Sequence, residues 1–218
     1  MLGSALLYLG LVLAIAGVVL VLVGFALPVH ETRVAHAQTH LDELMPRWQF
    51  SEHHSAHVDA SPERVFEAIR EVRANEIALF RLLTWIRRGG RKQPENILNP
   101  GNDKPILDVA TRSGFIPLAD DAPRELVIGT AVIKPRGAEV TAQTFREPVP
   151  RGFAIAAMNF RVTPEGGGSL VETDTRVFAS DARSLRNFKR YWRVIYPGSS
   201  LIRVMWLRAI ARRAGRSS

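Results

Sequence analysis

Glu52 and His54 stand two residues apart in a stretch, residues 48–59, that alternates Phe50, Glu52, His54, Ala56, Val58 against Ser51, His53, Ser55, His57, Asp59. On a strand, residues two apart share a face and lie about 6–7 Å apart along the backbone. A carboxylate and an imidazole so placed can serve as acid and base, or can orient a bound molecule. Glu172, Asp174 and Arg176 share one face of a later strand pattern, and Asn159 and Arg161 share one face of its neighbour. That set reads as a structural salt-bridge ladder, whose register the sequence leaves open. Other chemistries find little support. His53 and His57 are four apart on a strand, hence about 13 Å apart, whereas a zinc ion holds its ligands at about 2.0–2.1 Å. His36 and His40 are suitably spaced only on a helix, with no further ligand pattern beside them. No metal and no cofactor is therefore expected. There is no cysteine, no Gly-x-Ser-x-Gly and no helical His-Glu pair to support nucleophilic or metal-assisted hydrolysis. Gly166-Gly167-Gly168 leads into no helix and no Lys-Ser/Thr, so it reads as a hairpin tip and not as a phosphate loop.

The elements that must hold these residues follow from periodicity. The alternating stretch at 48–59 is a strand, and Ser61-Pro62-Glu63 then starts a helix with Val65, Phe66, Ile69 and Val72 on one side. A second helical stretch runs from Ile77 to Ile86. Residues 87–105 turn to Arg, Gly, Asn, Lys and Pro, the composition of an exposed loop, and 106–113 form a short helix. Strand patterns follow at 114–118, 124–133, 140–145, 152–162 and 169–179, the last two joined as a hairpin across Thr163–Gly168. The chain closes on a helix that begins at Ser180 or Asp181. Leu185, Phe188, Trp192 and Ile195 lie on one side of it, with Arg186, Lys189, Arg190 and Arg193 on the other. Pro197-Gly198 is expected to kink or break it. Beyond that point Leu201, Ile202, Met205, Trp206 and Ile210 carry the apolar stripe on, with Arg203, Arg208, Arg212 and Arg213 interleaved as solvated arginines.

Charge and hydropathy divide the chain. Residues 2–27 hold no Asp, Glu, Lys, Arg or His, and about 20 apolar residues suffice to span a bilayer as a helix. The run is longer than the apolar core of a cleaved signal and lacks its basic start, so 1–28 reads as a transmembrane anchor, 29–47 as a tether and 48–218 as one domain. The tether holds a possible short helix ending before Pro46. Arginine follows the anchor and does not precede it, which favours a cytoplasmic domain. The net charge is +8, yet residues 181–218 carry ten basic residues against Asp181 alone. All the excess basicity therefore belongs to the closing helix, which a nearby anionic lipid surface would attract. Basicity without a reading motif gives no support to nucleic-acid binding.

Four stretches resemble the START-like superfamily, also called SRPBCC or helix-grip proteins, with its polyketide cyclase-like and lipid-transfer members. They are HVDASPERVFEAI at 57–69, GFIPLADDAPRELVIG at 114–129, TDTRVFASD at 173–181 and FKRYWRVIYPGSSLIRVMWLRAI at 188–210. The last is similar to the closing helix of a poorly characterised bacterial branch. The resemblance implies an α+β fold in which a curved antiparallel sheet grips a long C-terminal helix, here preceded by the one transmembrane helix. It also implies an apolar cavity between sheet and helix. Val58 would face the helix, bringing Phe50, Glu52 and His54 to the same side. Phe153, Ile155, Met158, Phe160, Tyr191, Trp192 and Ile195 would supply further walls. The expected function is a membrane-anchored module binding a hydrophobic small molecule, lipid or polyketide-like. The alternatives are a cyclase- or hydrolase-type enzyme using Glu52 and His54, or a membrane scaffold working through its basic helix. Asp174 stands where the family more often has Glu, which weighs against a catalytic part for the ladder.

Overall fold

The computed structural model of the chain describes residues 29–101 and 103–215, together with Val12 and Gly17. The expected anchor at 1–28 lies almost wholly outside the described residues. Among those described, no helix is long and apolar enough to cross a membrane.

Thr32–Arg33 (β1) pairs antiparallel with Arg47–Trp48 (β2), and the short helix His40–Leu44 (α1) lies between them. Thr39 and Asp42 cap α1 reciprocally. The stretch expected as a tether thus packs on the domain, with Leu41 and Met45 fully buried. Phe50–Val58 (β3) follows, and then Pro62–Glu71 (α2), opened by the proline at its first turn. Phe80–Arg87 (α3) and Ile106–Arg112 (α4) complete the helices before the sheet. Ile116–Asp121 (β4), Glu125–Ile133 (β5), Ala154–Glu165 (β6) and Gly168–Ala179 (β7) then lead into one helix of 33 residues, Ala182–Ala214 (α5).

The sheet order is β3-β7-β6-β5-β4, every pair antiparallel. The β6–β7 turn is tighter than expected. The strands continue to Glu165 and Gly168, leaving only Gly166 and Gly167, both at positive φ, as a two-residue hairpin with right-handed twist requires. Residues 140–145 do not form a strand. Ala142–Phe145 is a single 3₁₀ turn held by reciprocal Thr141 and Thr144 bonds; local side-chain hydrogen bonding outcompetes the ladder there.

Alternation along the strands sorts the sheet into two faces. The inner face takes Val58, Met158, Phe160, Val162 and Val171, and α2 and α5 pack against it. The outer face takes Val127, Ile155 and Ala157 and is covered by α1 and Phe145. Glu125 is buried on that side, where its carboxylate accepts the His40 and Leu41 backbone N–H groups at 2.7 and 3.3 Å and Asn159 Nδ2 at 2.7 Å.

Helix α5 runs through Pro197 without breaking, so of the kink or break expected there the break does not occur. Proline removes one hydrogen bond from a helix interior, but packing on both sides carries the helix through. Phe188 is buried before the proline, and Ile202, Trp206, Leu207 and Ile210 after it. Asp181 caps the start through the Arg183 and Ser184 N–H groups at 2.9 Å. Arg213 ties the far end to Glu71 of α2 at 2.7 Å and to Glu76 at 2.9 Å.

Candidate ligand-binding site

Between the inner sheet face and α5 lies a partly open cavity of about 220 Å³. Ala156, Met158, Thr175 and Val177 form its sheet side. The helix side is Phe188, Tyr191, Trp192 and Ile195, then Ser199, Ile202, Arg203 and Trp206, spaced by three and four so that one stripe of α5 looks inward. Helix α3 closes a third side with Phe80, Thr84 and Arg87. The lining contains two arginines and no carboxylate.

Four residues expected at such a site line it: Met158, Tyr191, Trp192 and Ile195. Phe50 faces the helix but is consumed by packing, its ring 5.0 Å from Phe188 and 5.8 Å from Trp192. Phe160 is likewise buried against Trp206 at 5.2 Å. Phe153 and Ile155 belong to the outer cluster. The reason is parity: Ile155 lies an odd number of residues from Met158 on one unbroken strand, so it points the other way.

Glu52 and His54 do share the inner face and are hydrogen-bonded at 2.9 Å. Glu52 is 3% exposed, and its second oxygen accepts Ser199 Oγ at 3.1 Å. Ser200 Oγ reaches the same His54 Nε2 at 3.3 Å. Both contacts fall on one ring nitrogen, so the imidazole does not relay between hydroxyl and carboxylate as a hydrolytic triad requires. The pair stands one hydrogen bond behind Ser199, not in the cavity wall.

The ladder lies on the outer face with the register the sequence could not supply. Arg161 Nε meets Glu172 at 2.9 Å, His53 meets Asp174 at 3.0 Å, and Arg176 meets Asp42 at 2.7 Å. Asn159 bridges Glu125 to the Asp174 backbone N–H, the latter at 2.8 Å. This network joins sheet to α1 and is remote from the cavity.

Arg203 was expected in solvent, and the structure corrects that. Its Nη1 is sealed from water with no hydrogen-bond partner among the described residues, as is Trp206 Nε1. Nη2 reaches only Met158 Sδ, at 2.9 Å, and the guanidinium lies 5.3 Å from the Trp206 ring centroid. Burial lowers Arg203 from its usual value to about 10, against the opposing pull of the Glu52 carboxylate. The group therefore keeps its charge at neutral pH. Spacing held the missed signal: Arg203 follows Ile195 by eight and Ser199 by four, which places it on the inward stripe.

Solved structures align along most of the chain. Ms6760 from Mycobacterium smegmatis aligns at 13% identity over 87% of this chain and 99% of its own, with a TM-score of 0.34. MLL2253 from Mesorhizobium loti aligns at 12% over 75% and 98%, with a TM-score of 0.36. The Zhui aromatase/cyclase from Streptomyces sp. R1128 aligns at 12% over 77% and 94%, with a TM-score of 0.30. At scores below 0.5 these alignments carry no argument, and the α+β helix-grip arrangement rests on this chain's own strand order and closing helix. No family model matches the chain, and no curated protein matches it.

Proposed function

We propose that this protein is a membrane-tethered module that binds a small, largely apolar molecule between its sheet and α5. The cavity carries this reading. An apolar cavity of roughly 150 Å³ is large enough to take benzene, and drug-sized sites occupy roughly 300–1,000 Å³, so about 220 Å³ suits one or two fused rings or a short acyl chain. A two-chain lipid would not fit. Native mass spectrometry of the full chain released from detergent, with naphthalene-sized neutral probes added, is the test. One bound molecule per chain is expected, and Ala156→Phe, which fills the space from the sheet side, should abolish it. A wild-type domain that stays empty at millimolar probe ends the proposal.

The tether reading is supported by the apolar run at 2–27, and a surface feature extends it. Leu79, Leu82, Trp85 and Ile86 are all at least half exposed on and beside α3, the helix whose Phe80, Thr84 and Arg87 line the cavity. Leu79 sits at φ 60, a backbone region costing a non-glycine residue of order 1–3 kcal/mol. Between Glu76 and Glu95 the chain carries Arg81, Arg87, Arg88, Arg91 and Lys92 with no acid. Apolar side chains ringed by cations are the composition that settles into an anionic bilayer surface. We infer that α3 faces the lipid and that ligand enters from there.

A further inference from the structure

The two buried donors in the cavity wall specify more than its volume does. Buried polar groups are almost always hydrogen-bonded, and leaving a charged donor unmet is costlier than leaving a neutral one. Here two unmet donors, Arg203 Nη1 and Trp206 Nε1, belong to neighbouring side chains that line one space. No acceptor for them is found among the described residues. Glu52 is the nearest carboxylate along the helix-facing strand, but its oxygens are engaged by His54 and Ser199, and it makes no ion pair with Arg203. Met158 sulfur is a weak acceptor. Arg87, the other cation of the wall, spends its Nε on Tyr191 Oη at 3.0 Å. The cavity wall therefore carries two arginines and no carboxylate, and Glu52 acts on Arg203 only from outside the lining.

Resting on the cavity reading above, we propose that the ligand is a small amphipathic carboxylate, its anionic end paired with the Arg203 guanidinium beside Trp206 and its rings or chain against Ile195, Ile202 and Met158. A carboxylate fits because charge-assisted bonds to a guanidinium are the strong ones, and a desolvated wall enlarges the difference between an anion and a neutral isostere. An amine of the same shape would be rejected by Arg203 and Arg87 together.

Calorimetric titration of the full detergent-solubilised chain with 1-naphthoate and with 1-naphthylmethanol, equal in ring system and different in charge, tests this. Wild type should bind the naphthoate at least tenfold more tightly. Arg203→Met, which keeps an unbranched stem beside Met158, should erase the preference, so that naphthoate binds no more tightly than the alcohol. Trp206→Phe keeps a ring and removes the N–H; it should weaken naphthoate several-fold more than the alcohol, and it serves if Arg203→Met does not fold. The four tryptophans of the chain allow a second readout, since one indole N–H resonance, absent in Trp206→Phe, should shift on adding naphthoate and not on adding the alcohol. Equal binding of the two probes by wild type, or a preference that survives both substitutions, overturns the carboxylate proposal and leaves the cavity reading intact. Binding of neither probe overturns both.

Discussion

Asp42 ties the short helix α1 to the outer sheet face by capping its first turn and pairing with Arg176 at 2.7 Å. Burial alone would push its carboxyl up, but hydrogen bonds from the Gln38 backbone, Arg176 and Thr39 outweigh that and hold it below the usual carboxylate value. A carboxylate with a depressed folded-state pKa adds stability that is present above its unfolded value, near 3.8, and lost as the pH falls through the folded one. Asp42→Asn should therefore cost about 2–3 kcal/mol near neutrality, where it removes a nearly buried charged partner, and less and less as acid protonates the wild type. Asp181 is also held low, first by the Ser184 and Gly152 backbone N–H groups, so the acid limb of Asp42→Asn should be shallower and not flat. Urea titrations from pH 7 to pH 3 would decide it; a constant gap between the two proteins is the contrary result.

Among the elements, α5 is both wall and brace. Its rise of about 1.5 Å per residue makes it roughly 50 Å long, so it spans the sheet and still reaches α2, where Arg213 holds it. Pro197 lies in its middle, and a proline in a helix interior is about 3 kcal/mol worse than alanine. Pro197→Ala restores a donor for the carbonyl four residues earlier and should stabilise the protein by about 1–3 kcal/mol in chemical denaturation. Loss of stability instead would mean that the proline shapes the helix around the cavity, and probe affinity should then fall with it.

At the scale of the whole molecule, the proposal that α3 faces a bilayer is open to direct test. Reconstituted in nanodiscs, the full chain should show slowed hydrogen exchange over residues 79–92 with anionic lipid relative to zwitterionic lipid. The protection should fade at high salt, where surface charge is screened, and in Trp85→Ser. Exchange indifferent to lipid charge would detach α3 from the membrane. Much of this architecture was legible in one dimension. Period two marked β3, β5, β6 and β7, period three and four marked α2 and the first half of α5, and Gly166-Gly167 marked the hairpin. Strand parity already implied that Ile155 and Met158 cannot share a face. What only the tertiary structure decided was which contacts compete. Local threonine bonds turned 142–145 away from the sheet, packing on both sides carried α5 through Pro197, and the hairpin register joined Arg161 to Glu172. Phe50 and Phe160 were spent on core packing. Arg203, one arginine among ten basic residues when read along the chain, became a half-buried cation of the cavity wall, because burial depends on what folds over a residue and the sequence pattern records only which way it points.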